Sequence, residues 1–394
     1  MAFTLGIPKV SLFGAGCVRE VVSQLGAIQG RRPLIVTEAA LIRLGLLENL
    51  LDSLRKAGYE PNIYDGVLVN PTDKLVEQAL ECYRSTKSDF LIGFGGGSSI
   101  DTAKALRALL ANPGKTVHAF EGIGKVGRLG PGLVAISTTS GTAAEVTSNA
   151  VIIDTSRQVK MVLIDSALIP EVAVNDPEMM VGLPPAVTAA TGMDALTHAI
   201  EAYVSVAAHQ MTDPTALAAI RTIARYLPQA VDNGRDMVAR EAMCHAQFLA
   251  GMAFNSAGLG YVHSLAHQPG ATHNLPHGVC NAILLPVVCE FSRSARAERF
   301  ADIAAAMGVD THGDSAESAS HKAIAAIRAL SKRVGIPSGL AELGIKESDI
   351  AGWIAPAQAD PCTGCAPVKA TDAQLAELYR KALGTSVRQV AEVV

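Results

Sequence analysis

Apolar and polar positions follow two regimes along the chain. In the first, short apolar runs alternate with stretches of helical period. RRPLIVTEAAL holds an apolar strand over residues 33–37, and residues 40–57 then repeat at helical spacing. NIYDGV and TDKLVEQALECYRST predict a second strand and a second helix. DFLIGF is apolar enough to be a parallel strand buried on both faces, and the loop GGGSS leads from it into the helix IDTAKALRALLA. GLVAIST is a further strand, and NAVIID and KMVLID flank TSRQV as a hairpin. Such alternation predicts a parallel sheet covered by helices.

The second regime begins near residue 182. Ala-rich helical segments follow one another over residues 186–205, 213–228, 235–254, 317–334 and 372–383, with no convincing strand. The expected fold is therefore an α/β N-terminal domain with a parallel sheet (residues 1–181) and an all-α C-terminal domain (residues 182–394). No internal repeat or low-complexity linker is visible.

Composition narrows the function. The chain has 394 residues, 49% hydrophobic and 18% charged, which supports a sizeable core and excludes extended disorder. A net charge of −4 without a basic run argues against nucleic acid as a partner. No apolar stretch approaches a membrane span, and the N-terminus MAFTLGIPKVSLFGAG does not read as a signal peptide. Seven cysteines, an odd number mostly in apolar surroundings, suit reduced thiols in a cytoplasm. The lone C-x-x-C pair, Cys362 and Cys365, is expected to be two free thiols.

Candidate chemistry concentrates between Asp194 and His277. Asp194 and His198 lie four apart in a helical run, which places both on one face, roughly 6 Å apart along the axis. His263 and His267 repeat that spacing, and His277 follows in a Pro-His-Gly turn. One carboxylate and three imidazoles form a plausible ligand set for a first-row divalent metal, zinc included. Such an ion keeps a net positive charge that stabilises an anionic oxygen bound to it. Glu201, three residues after His198, is either a group that orients a ligand or a solvated, ion-paired carboxylate.

Two polar loops follow apolar strands. Gly95-Gly96-Gly97-Ser98 lets backbone N–H groups approach a phosphate at a helix N-terminus, and equally forms a tight turn. Ser98 and Asp101 are spaced as a capping box. Thr138-Thr139-Ser140-Gly141-Thr142 ends another strand, and strand ends of an open parallel sheet share one crevice. Glu38 closes the first strand; it is either an acceptor for a ribose diol, favouring NAD over NADP, or a helix N-terminal charge.

Taken together, GGGSSIDTAKA at 95–105, STTSGTAAEVT at 137–147, ATGMDALTHAIEAYVS at 190–205 and GLGYVHSLAHQPGATHNLPHGVCNAILLP at 258–286 resemble the iron-dependent (group III) alcohol dehydrogenase family. The resemblance covers nearly the whole chain. It implies a dehydroquinate synthase-like architecture, a parallel dinucleotide-binding sheet in the N-terminal domain and a helical C-terminal domain with the active site between them. It also implies an NAD-dependent, metal-dependent dehydrogenase of short primary alcohols or diols that passes hydride between a metal-bound alkoxide and nicotinamide. Asp194, His198, His263 and His277 carry over as metal ligands, with Fe²⁺ implied by the resemblance and Zn²⁺ allowed by the chemistry. His267 carries over as the catalytic proton relay. Gly97 and Ser98, with neighbouring Gly95, Gly96 and Asp101, match the pyrophosphate loop. Asn70, Thr138, Thr139 and Thr142 match further cofactor contacts, Glu38 stands where many members have Asp, and Lys160 matches a lysine near the nicotinamide ribose. Asn149 and Phe254 match the substrate side. Many relatives read HQLGGFYNLPHG where this chain has HQPGATHNLPHG; Pro269, Thr272 and His273 replace Leu and two aromatic positions, and Thr272 and His273 either make the substrate pocket more polar or face solvent. The resemblance also implies a homo-oligomer, with TLGIPKVSLFG a candidate exchanged edge strand. Competing readings are a zinc polyol dehydrogenase or sugar-phosphate cyclase of the same fold, and a non-catalytic metal- or nucleotide-binding subunit.

Overall fold

The computed structural model describes residues 3–384. Among these residues nine strands form two sheets: β1 (Val10–Phe13), β2 (Pro33–Val36), β3 (Asn62–Tyr64), β4 (Phe90–Gly95), β5 (Gly122–Ile123), β6 (Leu133–Ser137), β7 (Asn149–Asp154), β8 (Val159–Ile164) and β9 (Val172–Asn175). The main sheet has the order β1-β9-β6-β4-β2-β3, with every neighbour parallel. Helices α1 (Val21–Gln24), α2 (Ala39–Arg43), α3 (Glu48–Lys56), α4 (Asp73–Ser85) and α5 (Gly97–Ala111) accompany it.

Strands β2, β4 and β6 are buried at every position because both faces are covered. Their side chains still alternate. Leu34, Val36, Leu91 and Leu133 join a core with Val76 of α4, Leu106 of α5 and Ile152 of β7. Ile35, Ile92, Phe94, Val134 and Ile136 join a second core with Val21 of α1 and Leu50 and Leu54 of α3. The expected helix over 40–57 is two helices, α2 and α3, broken where Gly45 takes φ +71°.

The hairpin expected between NAVIID and KMVLID is present, Ile153 facing Lys160 across it. It lies outside the main sheet, in a three-stranded sheet of order β5-β8-β7. Part of the segment expected as an exchanged edge strand forms β1, which pairs with β9, Val10 opposite Val172.

Nine helices follow among the described residues: α6 (Pro185–Val204), α7 (Asp213–Asp232), α8 (Met237–Ala257), α9 (Tyr261–His273), α10 (His277–Ser292), α11 (Ala297–Ala306), α12 (Ala316–Arg333), α13 (Glu347–Ala359) and α14 (Asp372–Leu383). Proline at the first position pre-sets φ for α6. From Gly192 to Val204 every residue of α6 is buried, so this helix is the centre of the half and its polar residues need internal partners. Pro269 sits inside α9, where its ring denies the Leu265 carbonyl a helical donor. The Tyr379 hydroxyl donates to that carbonyl at 2.8 Å, which explains how α9 tolerates the proline.

Candidate active site and metal centre

The cleft between the sheet's C-terminal edge and the helices encloses about 190 Å³. Asp194, His198 and Glu201, spaced four and three residues apart, follow one another along the same face of α6, and all three are buried. α9 brings His263 and His267 to them. His277 opens α10, with Pro276 as its cap, so the expected turn is the first residue of a helix. The Oδ1 of Asp194 lies 3.9 Å from Nε2 of His263 and 3.7 Å from Nε2 of His277. These three donor atoms fall within 4.8 Å of one another. His198 stands beside them, its ring stacked on His263 with centroids 4.6 Å apart. On its other face it stacks on Phe254 at 4.3 Å.

Gly278 allows this approach. A Cβ there would press on the backbone of Ala190, 2.8 Å from its carbonyl carbon, and lie 3.3 Å from the Cβ of Asp194. The glycine of the Pro-His-Gly motif thus lets α10 settle against α6.

The donors are prepared to be ligands. Glu201 is neither solvated nor ion-paired with a lysine or arginine: its Oε2 takes Nδ1 of His263 at 2.5 Å and its Oε1 accepts the Val262 N–H at 2.7 Å. Nε2 of His263 is left with a lone pair toward the cleft. Burial lowers His198 to about 4 and His263 to about 3, and pushes His277 well below its ordinary value, so all three imidazoles are neutral near pH 7. Neutral imidazole is the form that binds metal.

A cation fits this set. The Asn281 amide, fully buried one turn along α10 from His277, lies 2.6 Å from Asp194 Oδ1 and 3.1 Å from Nε2 of both His263 and His277. It has two hydrogens for three acceptors. Nδ1 of His198 and Nδ1 of His277 are buried with no partner at all. A surplus of acceptors around a carboxylate is what a divalent ion relieves.

His267 lines the cleft, and its Nδ1 is 2.6 Å from Oδ2 of Asp360. Although burial pushes the Asp360 carboxyl up, His267 holds it below its ordinary value. Asp360 was not found in the sequence. It is far away in the chain, and its one signal, Asp followed by Pro, marks a cap: Asp360 caps the 3-10 helix Pro361–Cys365.

The glycine loop forms a cradle lined by backbone. α5 starts at Gly97 and its cap, Gly96, offers no side chain. A Cβ on Gly96 would lie 3.3 Å from Thr139, and one on Gly97 2.9 Å from Thr142, so the two polar loops meet there. Gly95 pairs with Ser137 at the ends of β4 and β6, and Thr138 N–H donates to the Gly95 carbonyl at 3.0 Å. The Thr139 hydroxyl is buried without a partner. This cradle fits a pyrophosphate at a helix N-terminus.

The capping box expected of Ser98 and Asp101 does not form, because Ser98 lies inside α5. Asp101 instead accepts the Val151 N–H at 3.0 Å and lines the cleft with Ser98 and Gly97. Burial, opposed by nearby Lys104, raises it to about 6. Glu38, capping α2 without a side-chain bond, is held up by burial and accepts from the Ser99 hydroxyl at 3.4 Å. Thr138, Thr139, Gly95, Gly96 and Glu38 lie on the crest beyond the cleft, whereas Thr142 and Asn70 line it. The Asn70 amide donates to Asn274 Oδ1 at 2.8 Å, tying the crest to the end of α9.

Lys160 and Asn149, on the hairpin, also line the cleft. Burial lowers Lys160, and Gly270 leaves room for its amine, since a Cβ there would be 2.9 Å from Nζ. Lys104 escaped the sequence reading. Fully buried on α5, it donates to the carbonyls of Thr147 at 2.6 Å and Asn149 at 2.8 Å, fixing the strand that carries Asn149. Thr272 and His273 neither line the cleft nor face only solvent. Trp353 donates to the Thr272 hydroxyl at 3.1 Å, and His273 lies 3.6 Å from Asp349, so both pack against α13.

The sequence profile described as "Iron-containing alcohol dehydrogenase" matches residues 8–177, and "Fe-containing alcohol dehydrogenase family, C-terminal" matches residues 188–383. The chain belongs to the iron-containing alcohol dehydrogenase family. It is 45% identical over 377 residues to an NAD-dependent methanol dehydrogenase of Bacillus methanolicus, covering 96% of this chain and 99% of that one. It is 43% identical over 378 residues to a 1,3-propanediol dehydrogenase of Klebsiella pneumoniae, covering 95% and 97%. A crystal structure of 1,3-propanediol oxidoreductase superposes with a TM-score of 0.94 at 42% identity, covering 97% and 100%. No helix among the described residues is long and apolar enough to cross a membrane.

Proposed function

We propose that this member of the family is an NAD-dependent alcohol dehydrogenase and aldehyde reductase for short primary alcohols or diols. The observation that carries the reading is one cleft in which an acceptor-rich carboxylate and imidazole cluster faces a glycine cradle. Asp194, His198, His263 and His277 would hold Fe²⁺, and Glu38, Asn70, Gly95, Gly96, Gly97, Ser98, Asp101, Thr138, Thr139, Thr142 and Lys160 would hold NAD. When bound, these groups supply a Lewis acid for the substrate oxygen and a carrier for hydride.

The chain's own residues do the rest. Asp360 accepts Nδ1–H of His267 and so fixes the tautomer that leaves Nε2 free to take a proton. Asn149 and Phe254 bound the substrate side with Val162 and Leu259, an apolar wall that suits a short carbon chain and excludes water. Relatives named for methanol and 1,3-propanediol support that size of substrate.

We further place the division between a cofactor domain and a catalytic domain at residues 181 and 182. We assign the protein to the cytoplasm on its seven free cysteines and to a homo-oligomer on the open outer edge of β1. The test of function is NADH oxidation, followed at 340 nm, by iron-loaded protein with a panel of small aldehydes under argon. Turnover on short aldehydes is expected. Absence of turnover on all of them, with metal and NADH both shown bound, would refute the reading.

A further inference from the structure

Beside the first cluster the cleft holds a second group of ligand-type side chains. His267, Asp360 and Cys362 each offer a donor atom, and the three atoms lie within 4.8 Å of one another. Asp360 is buried, and its Oδ1 accepts the Cys362 N–H at 2.9 Å while Oδ2 takes Nδ1 of His267. Nδ1 of His267 and the Cys362 thiol, each with a proton that a cation can replace, thus stand beside the Asp360 carboxylate.

We propose that His267, Asp360 and Cys362 form a second, inhibitory cation site for thiophilic divalent ions such as Zn²⁺ and Cd²⁺. Thiolate, imidazole and carboxylate are zinc ligands, and the thiolate discriminates against hard ions such as Mg²⁺. Binding involves no oxidation or reduction. The S–H bond of Cys362 breaks, its proton leaves to solvent, and a sulfur–metal bond forms. The proton on Nδ1 of His267 is exchanged through solvent for one on Nε2, which frees Nδ1 for the ion. Thiolate and carboxylate together balance the charge of the ion, so the filled site is neutral, one unit more positive than the empty one. The inhibitory consequence rests on the proposed role of His267, because Nε2 then carries a proton and accepts none. Binding itself does not depend on that role.

Cadmium titration of the full-length, metal-free protein tests the site, read by equilibrium dialysis and by the ultraviolet thiolate-to-cadmium charge-transfer band. Two ions per chain are expected, one of them producing the band. Cys362→Ser should abolish the band, Cys365→Ser should keep it, and Asp360→Asn should weaken the ion that gives it at least tenfold. Asp194→Ala should lose one ion and keep the band; if it loses none, the first site is wrong and the second stands. A band that persists in Cys362→Ser, or no band in the wild type, overturns the proposal. In iron-loaded enzyme, Zn²⁺ should lower kcat without releasing iron, whereas inhibition that tracks iron release would overturn the inhibitory role.

Discussion

Replacing Gly278 by alanine tests how tightly the site depends on the contact between α6 and α10. The added Cβ would lie 2.8 Å from the Ala190 carbonyl carbon, about 0.7 Å inside the ~3.5 Å separation at which two carbons attract. The obstacle is backbone, so no rotamer change relieves it. Overpacking of this kind costs about 1–3 kcal/mol. If α10 stays in place, the cost falls on the stability of the metal-free fold. If α10 moves, Nε2 of His277 leaves its position 3.7 Å from Asp194 by more than the ~0.2 Å that metal geometry tolerates. The cost then appears as metal affinity, roughly 5–150-fold. Thermal unfolding without metal and iron affinity by chelator competition measure the two shares, which should sum to about 1–3 kcal/mol. A Gly278→Ala protein with wild-type stability and wild-type affinity would refute the packing argument.

Asp360→Asn exchanges a charge-assisted bond to His267 for a neutral one, a loss of about 1–1.5 kcal/mol. It should lower kcat about tenfold with KM little changed, and shift the pH profile of kcat. Gly97→Ala intrudes on Thr142 and should weaken NADH binding roughly ten- to hundredfold by fluorescence titration, with little change in thermal stability. Although burial pushes Asp154 up, bonds from Ser156 and Arg157 hold it below its ordinary value of 3.8. A depressed carboxyl contributes stability above 3.8 that is lost as pH falls through the lower folded value. The stability gap between wild type and Asp154→Asn should therefore be widest near neutral pH and close below 3.8; a constant gap would contradict the assignment.

Residues whose chemistry is local were legible in the sequence. β2, β4 and β6 announced themselves as apolar runs, and α6 as a long Ala-rich period that put Asp194 and His198 on one face. Partners distant in the chain were not legible. Asp360 reaches His267 only because α13 packs against α9, and Asn281 meets Asp194 only because Gly278 admits α10. β1 and β9, four residues each, are too short for a period to show; β9 is held as a strand between β6 and β1, and β1 by its pairing with β9. Ser98 and Asp101 had the spacing of a cap, but the helix starts at Gly97, so the spacing had no cap to serve. Glu201 could be read two ways until the fold put His263 against it.

We propose Asp194, His198, His263 and His277 as the ligands of one cation in the cleft. Anomalous diffraction at the iron edge from crystals loaded with Fe²⁺ under argon tests it most directly. A single iron peak bonded by these four side chains is predicted. Iron seated elsewhere, or held without His198, would contradict the account.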